Sequence, residues 1–291
     1  MPALEKQSPC KVNLLLNILG KRPDGFHELE TIFHPVNLCD LLTFTRGGTG
    51  IQLTCSNPSL PTDGSNLVHR AAAKFLETAK ISAGVKLHLE KRIPLAAGLG
   101  GGSGNAAVTL LGLNELFGQP LSATQLHAIA ATLGSDVNFF LQDQPALASG
   151  RGENITPLDA FPAMQGACFV LVHPGFGIST PWAYRELARF PAAQKGQPGR
   201  AQKLVTLLRG NDLTEAGREF YNSLEAPALE KYPVLALYQE FFRTNGAAAT
   251  LMSGSGSTTF AIFSDQDSAK AVVEKFQARF GTTGWIATVP V

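Results

Sequence analysis

Between Cys10 and Ile18 the chain alternates. Cys10, Val12, Leu14, Leu16 and Ile18 fall on one face of an extended strand, and Lys11, Asn13, Leu15 and Asn17 fall on the other. Lys11 and Asn13 therefore point the same way. A Lys and two Asn on one strand face suggest polar work rather than burial, although Lys11 read alone is as well a charge at a strand edge. Lys21-Arg22-Pro23-Asp24-Gly25 is a turn in which Pro presets φ and Gly supplies φ > 0. The strand-like stretch after it, running through Phe33, brings Phe26 and His27 beside the first strand. Further along, residues 66–79 predict a helix and 85–93 a strand, and Pro94 opens a glycine cluster. Ala106, Leu110, Leu113 and Phe117 recur at helical spacing, so an amphipathic helix should follow that cluster at once.

A helix over 122–133 stops at Gly134, and a short apolar segment starts after Ser135-Asp136. The first half closes near Pro157. Beyond it, 167–172 reads as a buried strand, Pro181 sits at a helix start, 194–200 is a polar loop, and helices alternate with a strand over 258–263. The expected class is α+β, with two domains, 1–157 and 158–291. Two domains also suit a chain of 291 residues, above the usual span of roughly 100–200 for one core.

Composition narrows the function classes. Lys and Arg total 24 against 23 Asp and Glu, so the formal net charge is +1 and no polyanion-binding surface is implied. The basic residues over 189–203 are diluted by Pro, Gly and Gln and read as a solvated loop. No run approaches the ~18 apolar residues of a membrane span, and no apolar signal core opens the chain. Cys10, Cys39, Cys55 and Cys168 form no C-x-x-C pair, so neither a zinc site nor a disulfide framework is expected. A soluble cytoplasmic protein, without nucleic-acid or membrane partners, is the expectation.

The chemistry concentrates in Pro94-Leu95-Ala96-Ala97-Gly98-Leu99-Gly100-Gly101-Gly102-Ser103-Gly104, between an expected strand and an expected helix. A helix N-terminus offers free N–H groups and a positive dipole end, and glycines admit a polyphosphate without Cβ obstruction. No Lys follows the glycines as in G-x-x-x-x-G-K-[ST], and no acidic residue closes a ribose site about 20 residues on, so neither a P-loop nor a dinucleotide fold fits. A flexible linker is the bland alternative. Linkers rarely sit tightly between a strand and a helix.

This loop resembles the ATP loop of the superfamily that includes galactokinases, homoserine kinases, mevalonate kinases and phosphomevalonate kinases (the GHMP kinases). Two further motifs are similar to those of the 4-diphosphocytidyl-2-C-methyl-D-erythritol kinase family: Pro9-Cys10-Lys11-Val12-Asn13-Leu14 with Arg22-Pro23-Asp24-Gly25-Phe26-His27-Glu28-Leu29, and Met252-Ser253-Gly254-Ser255-Gly256-Ser257. The likeness spans nearly the full chain. It implies an N-terminal ATP-binding domain, a C-terminal ferredoxin-like domain, ATP with Mg²⁺, and transfer of a γ-phosphoryl group to the 2-hydroxyl of a substrate carrying a cytidine diphosphate handle in the non-mevalonate isoprenoid pathway. A monomer or weak homodimer goes with it.

By the same resemblance Asp136 is the base and Lys11 its cationic partner, Asn66 lies on the adenine side, and Asn13, Phe26, His27, Thr180 and Tyr184 hold the acceptor. Each residue has a plainer reading. Asp136 could N-cap the segment from Val137, Asn66 could start a helix, and Thr180 before Pro181 reads first as a cap. Phe26 and Tyr184 alone would be core, His27 alone a structural histidine, and 252–257 a tight turn. The resemblance makes that turn a wall beside the phosphate loop. Four positions depart from the family pattern: Phe26 for Tyr, Cys10 for Ala, Gly104 for Ser and Asn138 for Pro. Losing the phenol removes a donor but keeps a stacking face. Losing the hydroxyl at 104 leaves Ser103 as the better candidate for phosphate or Mg²⁺. The sequence does not say which residues hold the metal.

Overall fold

The computed structural model describes residues 3–282 and 284–291. It divides into two compact units that interleave along the chain instead of meeting at one cut: one holds the stretch to Cys10, Leu38–Ile93 and Gly100–Asp143, and the other holds Lys11–Asn37, Pro94–Leu99 and Gln144–Val291. Interleaving follows from strand length. β1 (Leu4–Lys21) and β2 (His27–Arg46) are 18 and 20 residues long, and each begins in one unit and ends in the other. Both therefore outrun the expected stretches; past Phe33, β2 continues through Val36, Leu41, Leu42, Thr43, Phe44 and Thr45, residue types that suit a strand. The turn joining them is as expected: Arg22 N–H donates to Phe26 O (2.8 Å), and Gly25 N–H to Arg22 O (3.1 Å).

In the first unit, β3 (Ile51–Cys55), α1 (Leu67–Thr78), β4 (Val85–Glu90), α2 (Gly101–Leu116) and α3 (Ala123–Leu133) follow in order. β4 pairs parallel with β3 and antiparallel with the Leu41–Arg46 end of β2. The helix starts are legible chemistry: Asn66 Oδ1 accepts from Val68 N–H, and Ser122 with Gln125 closes a capping box. The expected amphipathic helix is instead buried almost all round, from Gly104 through Leu110 and again at Gly112–Asn114. Small residues make that feasible. A Cβ on Gly112 would stand 2.6 Å from the Phe44 ring, so a side chain there would displace the aromatic.

The second unit contains β5 (Ala146–Gly150), which pairs antiparallel with β2 at Leu29–Phe33, and β6 (Asn154–Pro157), which pairs with β5. β7 (Cys168–His173) is buried throughout, as expected for 167–172. Then come α4 (Thr180–Glu186), α5 (Pro191–Gln194), α6 (Arg200–Leu208), α7 (Leu213–Gly217), β8 (Tyr221–Asn222), α8 (Glu225–Lys231), α9 (Pro233–Thr244), β9 (Ala249–Met252), β10 (Thr259–Phe263), α10 (Gln266–Phe280) and β11 (Trp285–Pro290). β8 adds in parallel to β1 at Leu15 and Leu16. The other four strands form an antiparallel sheet in the order β11-β7-β10-β9, the split-βαβ arrangement of a ferredoxin-like domain. Period-2 alternation places Cys168, Val170 and Val172 under Tyr238, Phe242 and Phe276 of α9 and α10. The loop after α5 is not simply solvated: Gly196 N–H donates to Ile18 O, and Asn17 Nδ2 to Gln197 O, each at 2.8 Å. Among the described residues no helix is long and apolar enough to cross a membrane, and none of the four cysteines is in a disulfide.

Candidate active site

Lys11 and Asn13 do share a face of β1, but that face is buried: Lys11 is 3% exposed and Asn13 2%. The polar work takes place inside the protein, which corrects the expectation of an open strand face. An ammonium removed from water needs acceptors. Lys11 Nζ donates to Asn13 Oδ1 (2.6 Å) and to Gly98 O (3.3 Å), and it stands 5.2 Å from the centroid of the Phe33 ring. Asn13 is oriented in turn by donating Nδ2 to Thr31 Oγ1 (2.8 Å), whose hydroxyl donates to Leu15 O. Thr31 escaped sequence reasoning because its role depends on strand register. Lys11 N–H also donates to Leu99 O (3.0 Å), so the strand holds the start of the glycine loop by its backbone as well as by its ammonium.

In the loop itself Ala96, Gly98 and Gly100 take left-handed φ values of +51°, +76° and +70°, and the residues between them do not. Left-handed residues spaced along a loop in this way are the backbone feature from which anion nests are built. Gly100 is the N-cap of α2 and makes no side-chain cap, so no side chain of its own occupies the first-turn N–H groups of Gly101, Gly102 and Ser103. Gly104 N–H already donates to Gly100 O at 2.9 Å. A Cβ on Gly104 would also point at Pro9 O (2.8 Å), into packing, which corrects the expectation that this position lost a hydroxyl facing phosphate. Most of the glycines serve intramolecular approach. A Cβ on Gly98 would lie 2.1 Å from Ser253 O, and one on Gly101 3.2 Å from Ile93 Cγ2; for Gly102 the nearest atom is Leu67 Cδ1 at 3.6 Å.

The Ser253–Thr258 turn is the wall beside the loop. It closes β9 onto β10 through Ser253 N–H to Thr258 O (2.8 Å), and it docks through Ser253 Oγ to Gly98 O (3.0 Å) and Thr258 N–H to Ala97 O (3.1 Å). Gly254 has φ +57° and admits no side chain, because its Cβ would meet Gly98 O at 2.9 Å and Lys11 Nζ at 3.4 Å.

The residues that the resemblance assigns to the acceptor, Asn13, Phe26, His27, Thr180 and Tyr184, all lie in this same unit. Phe26 is 53% exposed, so its core reading falls, and the Arg151 guanidinium lies 4.8 Å from its ring centroid. His27 and Tyr184 rings are 5.0 Å apart and tilted by 38°. Burial first, then the Lys21 charge, hold His27 below the usual histidine pKa, so it is neutral near pH 7. Its buried Nε2 has no hydrogen-bond partner among the described residues. Thr180 is not the cap: Ser179 Oγ accepts from Trp182 N–H, while Thr180 is the first residue of α4 and its hydroxyl bonds Ser255 Oγ at 2.8 Å.

Asp136 and Asn66 belong to the other unit. Asn66 is the helix cap that plain reading proposed, and its Nδ2 donates to Pro61 O (2.7 Å). The N-cap position of the turn Asn138–Leu141 falls on Val137, the residue after Asp136. Asn138, where the family has Pro, uses its amide Oδ1 at 3.2 Å from His127 Nδ1. No group of three or more metal-type side chains occurs among the described residues.

Known proteins resemble this chain over nearly its whole length. The family description "GHMP kinases N terminal domain" matches residues 66–151 and "GHMP kinases C terminal" matches 192–282. The 4-diphosphocytidyl-2-C-methyl-D-erythritol kinase of Acaryochloris marina is 37% identical over 289 residues, covering 95% of this chain and 92% of that protein. The enzyme of the same name from Syntrophus aciditrophicus is 42% identical over 265 residues, covering 90% and 91%. A crystal structure of 4-(cytidine 5'-diphospho)-2C-methyl-D-erythritol kinase superposes with a TM-score of 0.79 at 35% identity, covering 99% of this chain and all of that one. The chain belongs to the GHMP kinases, ATP-using kinases of small molecules, and within them to the 4-diphosphocytidyl-2-C-methyl-D-erythritol kinase family.

Proposed function

We propose that this protein transfers the γ-phosphoryl group of ATP to the 2-hydroxyl of 4-diphosphocytidyl-2-C-methyl-D-erythritol, giving ADP and the 2-phosphate, in the non-mevalonate route to isoprenoid precursors. The observation that carries the reading is the buried Lys11 ammonium, aimed at the carbonyl of Gly98 within the nested glycine loop. Phosphoryl transfer asks mainly for alignment and charge neutralisation. The loop backbone from Pro94 to Ser103 and the first turn of α2 receive the phosphates, with Asn66 on the nucleotide side. Lys11 neutralises charge on the transferring group, and the carboxylate of Asp136 accepts the proton leaving the acceptor hydroxyl. Mg²⁺ would accompany the nucleotide, since it is commonly held by phosphate oxygens and water with few protein ligands. The Ser103 hydroxyl is the candidate to assist it.

On the acceptor, Phe26 stacks on the pyrimidine, His27 offers a neutral imidazole nitrogen to its edge, Tyr184 supports that imidazole, and Asn13 and Thr180 complete the pocket. The near balance of charge and the reduced cysteines support a cytoplasmic enzyme with no nucleic-acid partner, and the family resemblance supports a monomer or weak homodimer. A division into 1–157 and 158–291 is supported by the two family matches lying on either side of it. The test is turnover: purified protein with ATP, Mg²⁺ and the cytidyl substrate should release ADP stoichiometrically with the 2-phosphate. Equal turnover of the substrate stripped of its cytidyl group, or of homoserine or mevalonate, would overturn the assignment.

A further inference from the structure

Behind the 252–254 corner lies a set of hydrogen bonds with no part in the chemistry described so far. Glu225, the first residue of α8, accepts through Oε1 from the backbone N–H of Met252 (2.7 Å) and from Gln239 Nε2 of α9 (2.5 Å). Three residues earlier, Asn222 of β8 donates Nδ2 to both Met252 O and Gly254 O, each at 2.8 Å, and its own Oδ1 is fixed by Leu224 N–H (2.9 Å). One short stretch thus holds the N–H and C=O of Met252 and the C=O of Gly254. Between those anchors lies Ser253, whose Oγ donates to the same Gly98 carbonyl that receives Lys11 Nζ. Neither Asn222 nor Glu225 bonds directly to the loop or to Lys11 in this network.

We infer that Glu225 and Asn222 are positioning residues for the phosphate site: they clamp the 252–254 corner so that it sets the Gly98 carbonyl and, through it, the ammonium of Lys11. Clearance at this corner is small. A Cβ on Gly254 would lie 2.9 Å from Gly98 O and 3.4 Å from Lys11 Nζ, so a corner moved by a few tenths of an ångström either collides with the loop or releases it. Misplacement of about 1 Å in an aligned phosphoryl-transfer site is worth on the order of 100-fold in rate. The ammonium is also buried, so a lost alignment is not repaired by water.

The inference rests on the functional reading above, and its test separates the two. Steady-state kinetics and amide hydrogen exchange are measured on the full chain for wild type, Glu225→Ala and Glu225→Gln. Glu225→Ala should lower kcat more than fivefold, with KM for ATP changed less than threefold, and should speed exchange of the 249–258 amides. Glu225→Gln keeps an Oε1 acceptor for Met252 N–H and should restore both to within threefold of wild type. A smaller kcat loss in Glu225→Ala, unchanged exchange at 249–258, or a folded Glu225→Gln as impaired as Glu225→Ala would overturn it. If Glu225→Ala fails to fold, Glu225→Asp, whose carboxylate is one methylene short, carries the same comparison. A wild type that does not turn over the cytidyl substrate counts against the functional reading alone, and exchange at 249–258 then decides the clamp.

Discussion

Two residues should separate chemistry from binding. Lys11→Met removes a buried ammonium while keeping much of its length, and kcat should fall at least about 100-fold with KM for ATP changed little, the signature of an interaction made mainly in the transition state. Asp136→Ala should likewise cut turnover by orders of magnitude and leave ATP affinity nearly intact; a nucleotide-binding measurement that collapsed instead would make Asp136 structural. Phe26 separates along the other axis. Its ring is exposed and backed by the Arg151 guanidinium, and base stacking is worth about 1–3 kcal/mol. Phe26→Ala should therefore raise KM for the cytidyl substrate about tenfold or more while leaving KM for ATP unchanged. Phe26→Tyr restores the donor usual in the family and should lower that KM or leave it unchanged.

At the scale of elements, the helix starts were legible because capping is local: Asn66 and Ser122 lie within three residues of the N–H groups they serve. Asn66→Ala should cost about 1 kcal/mol of stability from the lost cap. The accompanying change in KM for ATP measures whether the side chain also meets the nucleotide. Thr180 shows the limit of such reading, because Ser179 and Thr180 are adjacent candidates and only the backbone assigns the cap to Ser179. For α2 the spacing of apolar residues located the helix but not its environment. Gly112→Val would push two methyl groups toward the Phe44 ring, and the thermal midpoint should fall by several degrees, the response to an overpacked core worth about 1–3 kcal/mol.

Across the whole molecule, two buried titrations oppose one another. Burial holds His34, packed against Phe161 and Phe169, down to a pKa of about 4 despite the Pro35 carbonyl at its Nδ1. Its folded value lies below the unfolded 6.5, so its contribution to stability is full above pH 6.5 and is lost as pH falls toward 4. Burial pushes Glu225 up to about 7 from 4.5, with Met252 N–H and Gln239 offsetting part of the rise. Its contribution is full below pH 4.5 and is lost as pH rises through 7. Each is worth on the order of 3 kcal/mol, and over the shared window they nearly cancel. Denaturant midpoints of wild type should therefore change little between pH 4.5 and 6.5, whereas Glu225→Gln, with the falling limb removed, should grow steadily more stable across that range. A flat profile in the variant would refute the opposition.

The amino-acid sequence alone determined whatever depends on near neighbours: the alternation of β1, the Arg22–Phe26 turn, the caps at Asn66 and Ser122, and a glycine run at a strand-to-helix junction. Its motifs also identified the kinase family, because Lys11, the glycine loop and the 252–257 turn keep their residue types and order. Tertiary structure decided what those residues face. Lys11 is buried and not at a strand edge, Gly98 and Gly104 are small because Ser253 and Pro9 carbonyls lie where their Cβ atoms would be, and Glu225 matters through a backbone N–H 27 residues away. Hydrogen-bond geometry and steric clearance are set by atoms brought together from distant positions, and no local pattern encodes which atoms those will be.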